Sequence, residues 1–358
     1  MKTLDKKILF VVKGINRGGI ERYIYRFCSE NPDLDITIFC KSGTYGSMLS
    51  DFSGLNIRLH TFRLFSVRSY IRLMWWLRSE KFQTICDFNG DFAALVLFTG
   101  KLVGISNRIV FYRNSEYTFE VVLWKKVLLY LQKGLLKYSV NKCLSNSSKA
   151  LDVFAAKLFV EKRVIRNGVM ITGSANRAGE KGENLKRGKF VIGHVGSFRW
   201  QKNHIFLLDV LNKLIHLIPE VHLLLVGGGT LNLEQEINDR ELSDFVTIAG
   251  EVTDIENYLS QMDLFVFPSI IEGQPNALIE AMLYGIEVIA SDIEVHRETL
   301  PWNYHDLLIT LDVNVFVHRV LEHFKGEFSY DKELLAKQCK EMYSPDARFK
   351  EFRNELLL

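Results

Sequence analysis

Leu264-Phe-Val-Phe267, followed by Pro268-Ser-Ile-Ile-Glu-Gly-Gln-Pro-Asn-Ala-Leu-Ile-Glu280, is a short apolar run, a polar turn and the start of a helix. Four apolar residues bounded by turn signals have the length of a strand buried on both faces. Gly273 turns the loop, and Pro275 takes the first helical position, where the N–H that proline lacks has no partner in any case. Strand, loop and helix in that order are half of a parallel α/β repeat. The same rhythm extends outward on both sides. Before it come strand Phe190–His194, helix Asn203–His216, strand His222–Val226 with Gly227-Gly-Gly229, helix Leu233–Asp239, strand Val246–Ala249 and helix Ile255–Gln261; after helix Pro275–Leu283 comes strand Val288–Ala290.

The first half of the chain repeats the pattern. Strands are expected at Lys7–Lys13, Asp35–Cys40, Asn56–Phe62, Thr84–Phe88, Arg108–Tyr112, Lys142–Ser145 and Arg163–Ile165, with helices at Gly18–Cys28, Ser69–Ser79, Phe92–Val103 and Glu120–Tyr138. From Thr172 to Gly188 periodicity gives way to Gly, Ser, Asn, Lys and Glu, the composition of a linker. The expected organisation is an α/β chain of two Rossmann-like, doubly wound parallel-sheet domains, residues 1–171 and 189–343. A linker, 172–188, joins them, and a C-terminal amphipathic helix, 344–358, packs back on the first domain.

Composition narrows the class. With 358 residues, 47% hydrophobic and 24% charged, the chain has ample core for two domains, and disordered and collagen-like readings fail. The longest apolar stretch, Ala93–Ile105, is broken by Gly100 and Lys101, short of the ~18 residues a bilayer crossing needs. No secretory signal pattern is read near Met1, so the expected location is the cytoplasm. Five scattered cysteines without a CxxC argue against a disulfide framework or a zinc site. Charge is divided unevenly: residues 1–170 hold 27 Lys+Arg against 13 Asp+Glu, and the remainder 18 against 29. A basic half implies a polyanionic partner, or else attraction between the two halves.

Glu272 and Glu280 bracket the helix start at Pro275, and the amides of Gln274, Asn276 and Ala277 lie where a helix N-terminus attracts a phosphate. Glu280, a turn into the helix, can accept two hydroxyl donors of a ribose, and Glu272 those of a second sugar. Gly193-His-Val-Gly-Ser-Phe-Arg-Trp-Gln-Lys-Asn203 follows the second domain's first strand. There Gly196 permits close backbone approach, while Arg199 and Lys202 project at the carboxyl edge of the sheet, where open α/β sheets bind ligands. Two cations beside a helix start suit a diphosphate leaving group.

Together these segments resemble the retaining GT-B glycosyltransferases of family 4, the group that includes bacterial polysaccharide and lipopolysaccharide sugar transferases. The resemblance spans the chain and is strongest in its second half. It rests on the Glu-x7-Glu pair Glu272 and Glu280, on Arg199 and Lys202, on the Leu223–Gly228 run, on Gly18-Gly19 with Glu21, and on Asn167-Gly168. It implies two domains facing a central cleft. It also implies transfer of a hexosyl unit, with retention and without a metal cofactor, from a nucleotide-diphosphate sugar to a lipid-linked saccharide acceptor in surface polysaccharide synthesis (O-antigen, capsule or exopolysaccharide). By the resemblance Glu280 holds the ribose, Glu272 the donor sugar, Arg199 and Lys202 the diphosphate, and Val252 lies near the base. Gly18, Gly19, Gly196 and Gly273 shape the donor site.

One departure stands out. Many relatives carry a histidine after the strand ending at Tyr112; here Tyr112-Arg-Asn-Ser-Glu116 has none, and Arg113 or Asn114 takes its place at the sugar. A catalytically inactive nucleotide-sugar-binding partner protein and a nucleotide-sugar epimerase are the competing readings. Asp33-Leu-Asp35 has the form of a metal motif but follows Asn31-Pro32, a turn context, and no GxGxxG or GK[ST] loop occurs. Arg63, Arg68, Arg72, Arg78 and Lys81 interleave with Phe65, Tyr70, Trp75 and Trp76, and Trp124–Lys142 repeats the theme with Lys125, Lys126, Lys133 and Lys137. Basic residues with aromatics suit the anionic inner face of a cytoplasmic membrane, and no nucleic-acid motif accompanies them.

Overall fold

Lys7–Val12 and Asp35–Cys40 bury every side chain after the first, because parallel strands covered by helices on both faces offer neither face to water. The computed structural model describes residues 6–116, 123–171 and 188–358. They fall into two units, one running up to Gly168 and resuming at Pro345–Leu358, the other Val169–Ser344.

The first unit runs β1 (Lys7–Val12), α1 (Gly19–Glu30), β2 (Asp35–Cys40), α2 (Leu49–Ser53), β3 (Arg58–Thr61), α3 (Val67–Glu80), β4 (Thr84–Asp87), α4 (Ala94–Leu102), β5 (Asn107–Tyr112), α5 (Leu123–Ser139), β6 (Lys142–Ser145), α6 (Ser148–Ala155) and β7 (Glu161–Val164). Its sheet order is β3-β2-β1-β4-β5-β6-β7, every pair parallel. The winding reverses direction between β1 and β4. Ser66 and Ser69 cap the start of α3 reciprocally, a box that fixes where the basic helix begins.

The second unit runs β8 (Phe190–Val195), α7 (His204–Leu214), β9 (Val221–Val226), α8 (Glu234–Asp239), β10 (Val246–Gly250), α9 (Ile255–Leu259), β11 (Leu264–Phe267), α10 (Asn276–Tyr284), β12 (Glu287–Ser291), α11 (Glu294–Thr299), β13 (Leu308–Ile309), α12 (Val313–Phe324) and α13 (Lys332–Met342). Its parallel order, β10-β9-β8-β11-β12-β13, is the dinucleotide-fold order, with the reversal between β8 and β11.

The last helix, α14 (Pro345–Leu357), belongs to the first unit. Phe349, Phe352 and Leu356 are buried in the core beside β1 and α1; the Phe352 ring centroid lies 4.8 Å from that of Phe27. Thr84 Oγ1 donates to the Leu356 carbonyl at 2.8 Å, fastening the helix to β4. Each buried phenylalanine contributes about 1.5–3 kcal/mol of apolar burial.

The boundaries differ from the expected ones for a local reason. The Val169 N–H donates to the Tyr343 carbonyl at 3.0 Å and the Val169 side chain is buried in the second unit's core, so that unit begins before residue 172. Of the expected linker, 172–187 lie outside the described residues, as do 120–122 at the start of an expected helix. Asp33 and Asp35 each pair with an arginine, Arg353 and Arg58 respectively, and serve as surface ion-pair partners.

Candidate functional site

The second sheet reverses its winding between β8 and β11, the place where open α/β sheets take ligands, and the two loops singled out in the sequence follow those two strands. After β8 the chain runs through Gly196–Arg199 into a single 3-10 turn, Trp200–Lys202, then α7; after β11 it runs through Pro268–Pro275 into α10. The loops are bonded to each other. The Ile270 N–H donates to the Gln201 carbonyl at 2.8 Å, and Asn203 Nδ2 to the Pro268 carbonyl at 3.3 Å. Asn203, at φ 58°, sits in the left-handed region that asparagine tolerates better than most residues.

At the centre, Lys202 Nζ meets Glu272 Oε1 at 2.6 Å with both side chains mostly out of water, and the ammonium lies 4.8 Å from the Phe267 ring centroid. Partial burial beside an aromatic face strengthens such a pair relative to a surface one. An ammonium has three donors, so Lys202 keeps hydrogen-bonding capacity beyond Glu272. Arg199 is exposed at the same edge and has no ion pair among the described residues.

Glu280 lies on the half-buried side of α10, one turn from Asn276 and Ala277, while Leu278, Ile279, Ala281 and Met282 fill the core. Two details of the helix start differ from the sequence reading. Pro275 is the N-cap, its carbonyl accepting from Ile279, so the helix begins one residue later than expected. The Asn276 N–H donates to the Gln274 carbonyl at 3.0 Å, which removes it from the set of amides open to an anion. Gly273 is buried in the loop, and Val252, just beyond β10, is half-buried against the core.

The glycines of these loops pack closely against neighbouring chain. A Cβ at Gly196 would meet its own chain, His194 Nε2 at 3.0 Å and Lys202 Cδ at 3.2 Å, so the small residue seats Lys202. The position where only glycine fits is Gly227, at φ +144°, where a Cβ would lie 2.1 Å from the Gly196 carbonyl oxygen. That close approach lets Gly196 donate to Val226 at 2.8 Å and Phe198 to Gly228 at 2.9 Å, zipping the β8 and β9 loops together.

Sequence reasoning missed the layer beneath. His194, His204 and His296 are buried under the loops; His194 and His204 stand edge to face at 4.9 Å, and His296 Nδ1 bonds the Ser291 carbonyl at 2.7 Å. Burial pushes His204 and His296 down to about 4 and His194 well below its ordinary value. These rings are therefore neutral packing groups at physiological pH. Histidines on apolar strands and helices carry no periodic signal that tells a buried ring from a ligand.

The remaining predicted residues lie in the first unit. Gly18 is the N-cap of α1 and Gly19 its first residue. Arg113 follows β5 and is buried, its guanidinium 4.0 Å from the Tyr23 ring centroid, and desolvation lowers it to about 10. Asn114 beside it is exposed.

Known proteins place this geometry. Residues 189–325 match the family profile described as Glycosyl transferases group 1. Over 98% of its length the chain superposes on 99% of Anabaena Alr3699/HepE, solved with UDP and glucose, with a TM-score of 0.77 at 16% identity. The fold is GT-B. Two curated relatives are a UDP-Gal:alpha-D-GlcNAc-diphosphoundecaprenol alpha-1,3-galactosyltransferase of Escherichia coli and the capsular polysaccharide biosynthesis glycosyltransferase CapH of Staphylococcus aureus. The first is 26% identical, covering 90% of this chain and 87% of the relative; the second is 26% identical, covering 82% and 83%. The profile match contains both GT-B loops that meet at Lys202 and Glu272.

Proposed function

We propose that this chain is a glycosyltransferase of bacterial surface polysaccharide synthesis. It transfers a hexosyl unit, with retention, from a nucleotide-diphosphate sugar to a lipid-linked saccharide at the inner face of the cytoplasmic membrane. The observation that carries the reading is the Lys202–Glu272 pair at the switch point of the second sheet, with Arg199 exposed on the same loop and without an ion pair among the described residues. Bond cleavage at the donor's anomeric carbon leaves growing negative charge on the diphosphate. Arg199 and the spare donors of Lys202 stabilise that charge, so the chain itself supplies the role a metal ion plays elsewhere. Glu272, held by Lys202, accepts hydroxyls of the donor sugar, and Glu280 accepts those of the ribose. The acceptor hydroxyl attacks from the face the leaving group departs, the new C–O bond forming as the bond to the diphosphate breaks, and its proton passes to the departing diphosphate oxygen. Relatives active on undecaprenol-linked and capsular saccharides support the reaction class.

Support for the membrane comes from the first unit's outer helices. Phe65 is 81% exposed, Trp75 65% and Tyr130 80%, with Val67, Ile71, Leu102 and Leu131 also out in solvent. They lie on or beside α3, α4 and α5, with α4 packed against both α3 and α5, among Arg68, Arg72 and Arg78. Aromatics at headgroup depth surrounded by arginines are the chemistry of an interfacial anchor.

The test of the donor site is binding of UDP-, GDP- and ADP-sugars, without added metal, to the wild type, to Arg199→Ala/Lys202→Ala and to Glu280→Ala. One sugar nucleotide binds selectively, the double variant loses it, and Glu280→Ala weakens it by about tenfold. Failure of the wild type to bind any of them overturns the reading.

A further inference from the structure

α14 turns its phenylalanines into the first core, and its other face is polar: Arg348, Glu351, Asn354 and Glu355 recur at the three- and four-residue spacing of one helical stripe. Opposite that stripe runs β7, the edge strand of the first sheet, and between the two lies a cavity of about 450 Å³. Every described residue that lines it belongs to the first unit.

Three arginines converge there, Arg163 from β7, Arg166 just beyond it and Arg348 from α14. Two carboxylates line the cavity as well, and each is already engaged. Glu351 Oε1 meets Arg348 Nη2 at 2.9 Å, and Glu355 Oε2 meets the buried Lys142 Nζ at 2.7 Å. Arg163 is held by Glu161 of its own strand at 3.0 Å. Donors are left over. Among the described residues, the buried Arg348 Nε–H has no hydrogen-bond partner, and half-buried Arg166 has neither an ion pair nor a hydrogen bond. A buried guanidinium N–H without an acceptor leaves room for one that comes from outside. Ser148 lines the same end, where α6 begins and presents the positive pole of its peptide dipoles.

The other end is suited to hydroxyls. Asn354 is exposed there, and Glu351 has a second carboxylate oxygen besides the one on Arg348. Apart from Val164 and Ile165 the described lining is polar, which is no wall for an acyl chain. Pockets for small organic ligands run from about 300 to 1,000 Å³, so the cavity is sized for such a molecule and not for a lone ion.

We propose that this groove is a second ligand site that takes a sugar phosphate, with the phosphate on Arg166, Arg348 and the start of α6 and the sugar hydroxyls toward Glu351 and Asn354. Arg348 and Asn354 are ~9 Å apart along the helix axis, about the length of one phosphorylated hexose. The site also bears on the two places where the chain leaves and re-enters the first unit. Arg166 lies just before Gly168 and Arg348 just after Pro345, and Gly168 packs so closely that a Cβ there would lie 2.7 Å from Pro345 Cα. A ligand held by both arginines ties the outgoing chain to the returning one and clamps α14 in place.

Calorimetry and hydrogen exchange on the full chain test it with glucose 1-phosphate, glucose 6-phosphate, fructose 6-phosphate, inorganic phosphate, glucose and UDP. A hexose phosphate binds at least tenfold more tightly than inorganic phosphate or glucose, slows exchange across 345–357 and not across 196–203, and is not displaced by UDP. Arg166→Gln, outside the core, weakens it by about tenfold while UDP affinity stays within about twofold. Arg348→Lys, which keeps the charge and loses the Nε–H, weakens it by about threefold or more. Arg199→Ala/Lys202→Ala does the converse of Arg166→Gln. The proposal is overturned if the wild type binds none of the three hexose phosphates, if inorganic phosphate binds as tightly, if UDP displaces the ligand, or if both arginine variants keep wild-type affinity. Loss of UDP binding in the wild type instead faults the donor-site reading, so the two failures are separable.

Discussion

The two units wind their sheets alike and equip the same edge with different chemistry. Both reverse between the first and fourth strands of the unit, and both present loops there. The first places Lys13, Lys41, Arg63 and the buried Arg113 after four strand ends, with no ion pair among the described residues, and aromatic residues on its outer helices. The second places a lysine already neutralised by a glutamate, over a layer of neutral histidines. Of nine histidines only His60 lies in the first unit. Winding order fixes where a ligand can bind; the side chains at the strand ends decide what it is.

The largest expected effect separates the units by stability. Truncation before Pro345 strips Phe349, Phe352 and Leu356 from the first core and unfolds that unit, and Phe352→Ala alone costs about 3–5 kcal/mol. Hydrogen exchange read unit by unit shows protection lost in 6–168 and kept in 188–344; parallel loss in both breaks the division. Next comes chemistry. Lys202→Met leaves the Glu272 carboxylate mostly buried without its cation, and turnover at saturating donor falls by about 10²–10³. A variant retaining half the wild-type rate removes Lys202 from the mechanism.

Acid acts third. His194, His204 and His296 have folded-state values depressed below the unfolded 6.5, so in the window from 6.5 down to about 4 the unfolded chain takes up protons the folded one refuses. Their contribution is complete above pH 6.5 and is lost as pH falls through that window, at about 1.4 kcal/mol per pH unit for each proton. The second unit therefore loses exchange protection first between pH 7 and 5, and earlier loss in the first unit contradicts the contrast. Smallest is Gly227→Ala, which strains the loop by about 1–3 kcal/mol and lowers the melting temperature without altering the first unit.

Much of the fold was legible because strands covered on both faces read as apolar runs; Asp35–Cys40, Lys142–Ser145 and Leu264–Phe267 match residue for residue. β13 escaped because two residues, Leu308 and Ile309, carry no period. Helices α2, α6, α11, α12 and α13 are likewise absent from the sequence-based expectation, and the second unit's start at Val169 rests on a backbone bond to Tyr343 and a single buried side chain that no composition shift announces. At the site, Arg199, Lys202, Glu272 and Glu280 could be picked out by charge type and spacing. The bond between Lys202 and Glu272 could not, nor the capture of the Asn276 amide, because both depend on how two loops meet. Lys13, Lys41 and Arg63 are unremarkable in sequence and become a cluster only through strand register.

The return of α14 makes the second unit an insertion within the first. On the ribosome, Val169–Ser344 is synthesised before residues 345–357, so the inserted unit can fold while the enclosing one still lacks Phe349, Phe352 and Leu356. Folding by that route reverses the order in which the two units begin to be made. Until its last helix arrives, the basic unit stays unfolded, with Phe10 and Phe27 uncovered, and a nascent chain stalled at that stage offers a chaperone exposed aromatic surface.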